Sequence, residues 1–172
     1  MVLWLPQQWG SKIIRYCVSI FLVALIGIFL GGATAFPKSV PGQIADIFTE
    51  SGSIEEKGRF DGSRYVVYVA STEGKIDGYA VFAKERGKSG DITLIVVISP
   101  EYSIENIIVH RHMERKGDHI RRKRFLKQFA GKSTDDLFRG DGVDTITGAT
   151  ISSKAVIRAA KRALEVVQLS QM

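Results

Sequence analysis

The sequence predicts an α+β fold, in which helices pack on an antiparallel sheet after an N-terminal transmembrane or signal helix. Between Arg64 and His112, apolar segments of strand length alternate with short turn sequences. A helix with one apolar stripe is predicted over Ser152–Val167. Residues 16–36 carry no charged side chain. A layered domain, with the helices on one face of the sheet, buries the apolar surfaces of both.

The first segment of the chain has the features of a membrane anchor or a signal peptide. Tyr16–Leu30 is apolar, small residues extend the run to Phe36, and Lys12 and Arg15 precede it. Because no acidic residue occurs before Asp46, the positive-inside rule puts the N-terminus in the cytoplasm. The site Ala-Thr-Ala at 33–35 would also suit a signal peptidase. We therefore expect residues 1–35 to be a signal anchor or a signal peptide.

Either interpretation places residues 36–172 outside the cytoplasm, at a bacterial inner membrane or as an exported domain. A buried core helix would also explain an apolar run, but it gives the flanking charges no role. The single cysteine, Cys17, lies within that run. The following domain therefore has no thiol for disulfides, iron–sulfur clusters, c-type haem or cysteine–zinc sites, and redox chemistry there needs an organic cofactor.

Four strands are predicted in order, each separated from the next by a turn. Ile92–Ile98 is apolar on both faces, which indicates a central strand, whereas polar residues in Ile104–His112 indicate a position near an edge or a ligand. The four strands are Tyr65–Ala70, Ile76–Lys84, Ile92–Ile98 and Ile104–His112.

Three helices are predicted around these strands. A short helix over Gln43–Thr49 precedes them. A basic helix over Ile120–Phe129 follows, with Phe125 and Phe129 as its buried pair. Ser152–Val167 completes the domain.

The segment Val143–Ser153 (VDTITGATISS) is a glycine-containing turn that leads into the last helix. Several hydroxyl side chains stand where a helix begins, and the amino end of a helix stabilises a phosphate group. Gly148 would let a bulky group approach the backbone. The commoner use of such hydroxyls is to cap the helix, through Thr150 or Ser152, and both interpretations remain open on physical grounds alone.

The same segment resembles the flavinylation motif Asp-x-x-(Ser/Thr)-Gly-Ala-Thr of the FMN-binding domain family. That family includes the flavin-bearing subunits of Rnf complexes and of the sodium-translocating NADH:quinone oxidoreductase. Its fixed positions are matched by Asp144, Thr147, Gly148, Ala149 and Thr150. The resemblance implies that a flavin transferase takes FMN from FAD and joins its phosphate to Thr150.

Two further segments resemble parts of that family. Gly78-Tyr79 matches a strand segment, and residues 112–117 match a His-x-Glu-Thr-Pro-Gly-like loop at Glu114 and Gly117. The resemblance implies that these four residues line the flavin ring. Arg115 and Lys116 replace the Thr-Pro pair of the loop, and we expect a cationic loop to favour the anionic reduced ring.

The histidines and the basic run of the sequence give weaker indications of function than the motif does. His110, His112 and His119 have no complete set of accompanying ligands, so no metal site is predicted. The run Arg121–Arg124 with Lys127 forms a basic face, and a solvated helix face is the usual explanation for such a run. For a domain outside the cytoplasm, lipid headgroups or an acidic redox partner are the remaining alternatives, and no nucleic-acid partner is predicted. No spaced hydrolase motif is present.

The sequence thus predicts an electron-transfer flavoprotein with covalent FMN. Its expected partners are a flavin transferase, other membrane redox subunits as electron donor and acceptor, and the membrane itself. Membership of an Rnf-like complex and a stand-alone carrier role are both consistent with the sequence. The alternative is a non-redox extracytoplasmic binding module that docks membrane or protein through its basic helix face.

Overall fold

The computed structural model describes residues 41–113, 117–138 and 142–172. The predicted anchor or signal peptide, residues 1–35, lies outside these ranges, as do Glu114, Arg115 and Lys116. Among the helices that fall within them, none is both long and apolar enough to cross a membrane.

The described chain contains one five-stranded antiparallel sheet in which each strand pairs with its sequence neighbour, in the order β1-β2-β3-β4-β5. The four predicted strands are present. β4 lies between two neighbours and β5 lies at an edge, as their polarity indicates. The strands are β1 Ser53–Phe60, β2 Tyr65–Thr72, β3 Lys75–Arg86, β4 Asp91–Ile98 and β5 Ile104–His112.

Strand β1 is not among the predicted strands. Half of the residues in its sequence, SIEEKGRF, are charged, and Ile54 is its one fully buried side chain. As an edge strand it pairs on one side alone, with β2. A strand of this kind is specified by backbone pairing with its neighbour, and its apolar pattern is too weak to show in the sequence.

Both faces of the sheet are covered, although the sequence led us to expect helices on one face. The long helix α4, Thr150–Leu169, packs on the face that includes Val67, Val81 and Leu94. The short helix α1, Gly42–Ile47, places Ile44 in a smaller cluster with alternate strand residues such as Tyr68. Successive strand side chains point to opposite faces, so strands that are apolar on both sides need cover on both sides.

Helix α4 contributes much of the larger core and is tied to the sheet by charge. Its small residues Ala159, Ala160 and Ala163 are fully buried, which allows the helix close to the strands. Arg162 on the same helix makes a two-pronged contact with Asp61, in the turn between β1 and β2, at 2.9 Å.

The segment between the sheet and α4 is more broken than predicted. In place of one helix over Ile120–Phe129 it contains a 3-10 turn at Gly117–His119, helix α2 at Lys123–Leu126 and a 3-10 turn at Lys127–Phe129. Arg122 has extended backbone angles, which ends any continuous helix from Ile120. The predicted buried pair is confirmed: Phe125 and Phe129 are buried, with their rings edge to face at 5.5 Å.

A further short helix, α3 at Thr134–Phe138, is not among the predicted elements. The Asp136 carboxylate accepts hydrogen bonds from the backbone N–H and the hydroxyl of Ser133, both at 2.8 Å. Ser-x-x-Asp is a helix-start signature, so the signal was present in the sequence at 133–136.

Candidate functional site

The turn before α4 is shaped by a buried serine. The Ser153 hydroxyl accepts a hydrogen bond from the Ile146 N–H at 3.1 Å and donates one to the Ala149 carbonyl at 3.0 Å. The Ala149 N–H donates to the Ile146 carbonyl at 2.9 Å, which closes the turn. Because Ser153 is fully buried, these bonds are shielded from water and fix the segment that presents residues 147–150.

Gly148 has φ +79°, a left-handed conformation that side chains with a Cβ rarely adopt. A Cβ built on it would meet no atom within 4 Å. The glycine is therefore required by the bend of the backbone and not by crowding within the protein.

Thr150 is the first residue of α4, and its side chain is exposed. Ala149 occupies the N-cap position and makes no side-chain hydrogen bond there. Within the described ranges, the Thr150 hydroxyl and the N–H groups of Thr150 and Ile151 form no hydrogen bond. Neither Thr150 nor Ser152 occupies the N-cap position considered for them, and Thr150 offers a free hydroxyl next to unpaired donors.

Asp144 connects this turn to the segment that precedes it. Its N–H donates to the side-chain oxygen of Gln128 at 2.8 Å, while its carboxylate is exposed. Gln128 belongs to the 3-10 turn that follows α2. The bond therefore fixes the motif against the basic segment.

A cavity of about 640 Å³ lies between the motif and that basic segment. This volume falls in the range of pockets that hold cofactor-sized ligands. The lining residues come from the two segments alone: His119, Arg122, Arg124, Phe125, Gln128, Asp144, Thr145, Ile146 and Thr147.

The lining is suited to a ligand that is part aromatic and part anionic. Phe125 and Ile146 provide apolar surface, and the lining includes two arginines, Arg122 and Arg124, with Asp144 as its single carboxylate. Nδ1 of His119 is buried and has no hydrogen-bond partner in the part of the chain described.

Gly117 lies next to this cavity in sequence. It begins the 3-10 turn that ends at His119, which is one of the residues lining the cavity. Glu114 is outside the described residues, and its predicted contact with a flavin stays a prediction.

Gly78 and Tyr79 do not line the cavity. A Cβ on Gly78 would lie 3.1 Å from Cε1 of Phe48 and 3.2 Å from the Ile98 carbonyl oxygen, so this glycine permits tight packing. Tyr79 is buried and stacks on Tyr102 with ring centroids 5.9 Å apart. Burial, together with a hydrogen bond to Tyr102, raises the pKa of Tyr79 to about 12. These contacts explain why Gly78 and Tyr79 suit their places in the sheet. The contact of both residues with a flavin ring stays a prediction.

Comparison with known proteins identifies the family. A family model described as "FMN-binding domain" matches residues 87–165. A G-type subunit of an ion-translocating oxidoreductase complex, from Methanosarcina acetivorans, is 32% identical over 142 residues, covering 78% of this chain and 74% of that protein. The chain belongs to this family of G-type subunits. It contains their FMN-binding domain.

Two other relatives carry related names. The G-type subunit of a proton-translocating ferredoxin:NAD(+) oxidoreductase complex from Clostridium ljungdahlii is 32% identical over 58% of this chain. The G-type subunit of an ion-translocating oxidoreductase complex from Aliivibrio fischeri is 34% identical over 57% of it. The matches cover 58% and 53% of the lengths of these two relatives.

The FMN-binding match contains every residue that lines the cavity and the whole motif Asp144–Thr150. Gly78 and Tyr79 lie before its first residue. In this member of the G-type family, the structure therefore brings together the motif and the basic segment, and it leaves the Gly78-Tyr79 pair elsewhere in the sheet.

The sequence did not identify the basic segment as part of the site. Arg122 and Arg124 looked like members of a solvated helix face, and His119 looked like an isolated histidine. The available signal was position: these residues directly follow the loop that resembles a flavin-contacting loop. Among the described residues, no cluster of His, Cys, Asp and Glu is arranged to hold a metal ion.

Proposed function

We propose that this member of the G-type family carries FMN as a phosphoester on Thr150 and relays electrons in a membrane-associated redox chain. The observation that carries the proposal is the complete motif Asp144–Thr150, presented with its last hydroxyl exposed and unbonded at the start of α4. The names of the relatives, all subunits of oxidoreductase complexes, support the redox role.

The attachment step needs FAD and a flavin transferase. The Thr150 oxygen forms a bond to the FMN phosphorus, the pyrophosphate bond of FAD breaks, and AMP leaves while the threonine proton goes to solvent or to a base of the transferase. Because the Thr150 hydroxyl is exposed, such an enzyme can reach it. The exposed Asp144 carboxylate would orient the segment for the transferase.

Once attached, the phosphate would lie at the amino end of α4. The unpaired N–H groups of Thr150 and Ile151 and the helix dipole stabilise a negative group there. Gly148 and the bonds of Ser153 hold the turn in place. The cavity bordered by Thr147 is large enough for a flavin ring.

When bound, FMN supplies the capacity to accept and release electrons, and the chain contributes position, partial exclusion of water and charge. The partners in this proposal are other membrane redox subunits, one as donor and one as acceptor. The apolar run before residue 36 would hold the domain at the extracytoplasmic surface of the membrane. An Rnf-like complex is favoured over a stand-alone carrier because the relatives are named as complex subunits.

The test is covalent flavin on the full chain. The chain is expressed with a flavin transferase in an exporting host, denatured, separated on a gel and examined for flavin fluorescence under ultraviolet light. We expect a fluorescent band and an intact mass increased by one FMN less one water. The band should disappear in Thr150→Ala.

Thr49→Ala is the control, because Thr49 is an exposed threonine that lies outside both the motif and the cavity lining. It should keep its fluorescence. A wild-type chain without flavin would overturn the proposal and favour the non-redox binding module, and fluorescence in Thr150→Ala would move the attachment to another residue.

A further inference from the structure

We propose that Arg122 and Arg124 raise the reduction potential of the flavin by stabilising the negative charge that its ring gains on reduction. The inference rests on the proposed function, since it concerns the same cavity. It assigns a tuning role to two residues outside the attachment motif.

The first observation is an uncompensated positive charge. Arg122 and Arg124 line the cavity with Asp144 as the single carboxylate. The ion pairs that tie up other arginines of the described chain involve Glu56, Glu85, Asp61, Asp91 and Glu165, none of which lines the cavity. Within the described residues, neither Arg122 nor Arg124 is in an ion pair.

The second observation is the geometry of the segment. Arg122 has extended backbone angles and occupies the N-cap position of α2, and it lines the cavity. Lys123, between the two arginines, is exposed but does not line the cavity. Of these three consecutive cations, Arg122 and Arg124 therefore border the cavity.

The third observation is His119. It lines the cavity together with the two arginines, although its Nδ1 is shielded from solvent. A planar ligand in the cavity would lie beside this ring, and acceptor atoms along one edge of it would meet the guanidinium groups. The pyrimidine side of a flavin ring has this chemistry.

The direction of the effect follows from charge balance. Reduction by two electrons and one proton adds one net negative charge to the flavin ring. A nearby guanidinium stays protonated at any working pH and lowers the energy of the charged product more than that of the neutral reactant. Because the oxidised ring gains little from the same group, the equilibrium moves towards the reduced form.

The experiment compares three single-charge changes in the full chain, loaded with FMN and solubilised in detergent. Arg122→Gln and Arg124→Gln each remove a cavity cation, and Lys123→Gln removes a neighbouring cation that lies outside the cavity. The potential is measured by following the flavin absorbance during titration with dithionite in the presence of a reference dye. Circular dichroism confirms that each variant is folded.

We expect each arginine variant to favour the oxidised flavin about two- to tenfold more than the wild type. For a two-electron couple this is a potential lower by about 9–30 mV. Lys123→Gln should change the ratio less than either arginine variant, because an exposed charge away from the cavity is screened by solvent and salt.

The outcomes separate this inference from the proposed function. Flavin present with unchanged potentials in both arginine variants overturns the tuning role and leaves the attachment to Thr150 standing. A shift in Lys123→Gln equal to those of the arginine variants also overturns it, since the effect would then be net charge and not the cavity. A wild-type chain without flavin overturns both.

Discussion

At the scale of single residues, the turn before α4 depends on one glycine and one serine with different tasks. Ser153 supplies hydrogen bonds from a buried position, whereas Gly148 supplies a backbone angle. The sequence motif contains the glycine but gives no reason for the serine. The reason became visible once the structure placed the Ser153 hydroxyl within bonding distance of Ile146 and Ala149.

Gly148→Ala should destabilise the domain by about 1 kcal/mol, because alanine is strained at φ +79° although no atom obstructs its Cβ. For a chain of this size that corresponds to a melting temperature lower by about 2–4 °C. The melting temperatures of the variant and the wild type are measured by monitoring circular dichroism during heating.

The control is Gly42→Ala, at the start of α1, where a Cβ also meets nothing within 4 Å and φ is ordinary. This variant should be as stable as the wild type or slightly more so. Equal melting temperatures for the two variants would show that the turn relaxes around alanine.

The identity of the cavity residues marks where sequence reasoning stopped. Asp144 and Thr147 belong to a recognisable motif, and the structure places them at the cavity. Arg122, Arg124 and His119 reach the same cavity from a segment without a motif, through a tertiary contact in which Gln128 bonds to the backbone of Asp144. A contact between segments is set by packing, which local sequence patterns do not encode.

At the scale of elements, apolar periodicity predicted the strands that are buried on both sides and the long helix. It failed where backbone or capping geometry decides the outcome. The charged strand β1 is held by pairing with β2, and the helix expected over Ile120–Phe129 ends at the extended Arg122. The start of α3, by contrast, was encoded locally at Ser133 and Asp136.

The link between α4 and the β1–β2 turn makes a prediction about acid stability. Hydrogen bonds from Arg162 hold the pKa of the Asp61 carboxyl below its usual range. A carboxyl whose pKa is lowered by folding stabilises the folded state above its unfolded pKa, and this contribution is lost as the pH falls through the folded value. The loss should therefore occur below about pH 4.

Asp61→Asn should lower the stability near neutral pH modestly and make it less sensitive to acid below about pH 4. Asparagine tolerates the positive φ of this position, so the backbone of the turn should be kept. Urea unfolding at several pH values provides the measurement. Asp46→Asn, at an exposed position without an ion pair among the described residues, should leave the profile unchanged. If the free energy of unfolding depends on pH in the same way in the wild type and in Asp61→Asn, the Asp61 carboxyl is not responsible for the loss of stability in acid.

At the scale of the whole molecule, the site lies where α4 begins and is built from chain segments on the C-terminal side of the sheet. The sheet itself contributes no residue to the cavity lining. The larger apolar cluster joins one face of the sheet to α4, the smaller one joins the other face to α1, and the residues that line the cavity lie between positions 119 and 147.

The proposed location of the domain is testable with a reporter. Alkaline phosphatase is active after export and inactive in the cytoplasm, so its fusion after Met172 should give active enzyme in a bacterial host. The expectation follows from Lys12 and Arg15, which precede the apolar run. Exchanging both for glutamate is the control and should lower the phosphatase activity. A wild-type fusion that is inactive but abundant would place the domain in the cytoplasm.

The sheet order β1-β2-β3-β4-β5 affects how the chain folds. Every strand pairs with the one before it, so each step of sheet formation needs a contact between strands that are close in sequence. The larger apolar face of the sheet stays open to water until α4, which follows all five strands in the chain, packs on it. Residues 144–150 immediately precede that helix, and the contact between Arg162 and Asp61 joins positions 101 residues apart. A chain cut before α4 would therefore keep its strands but leave their larger apolar face in water, and we expect such a copy to aggregate.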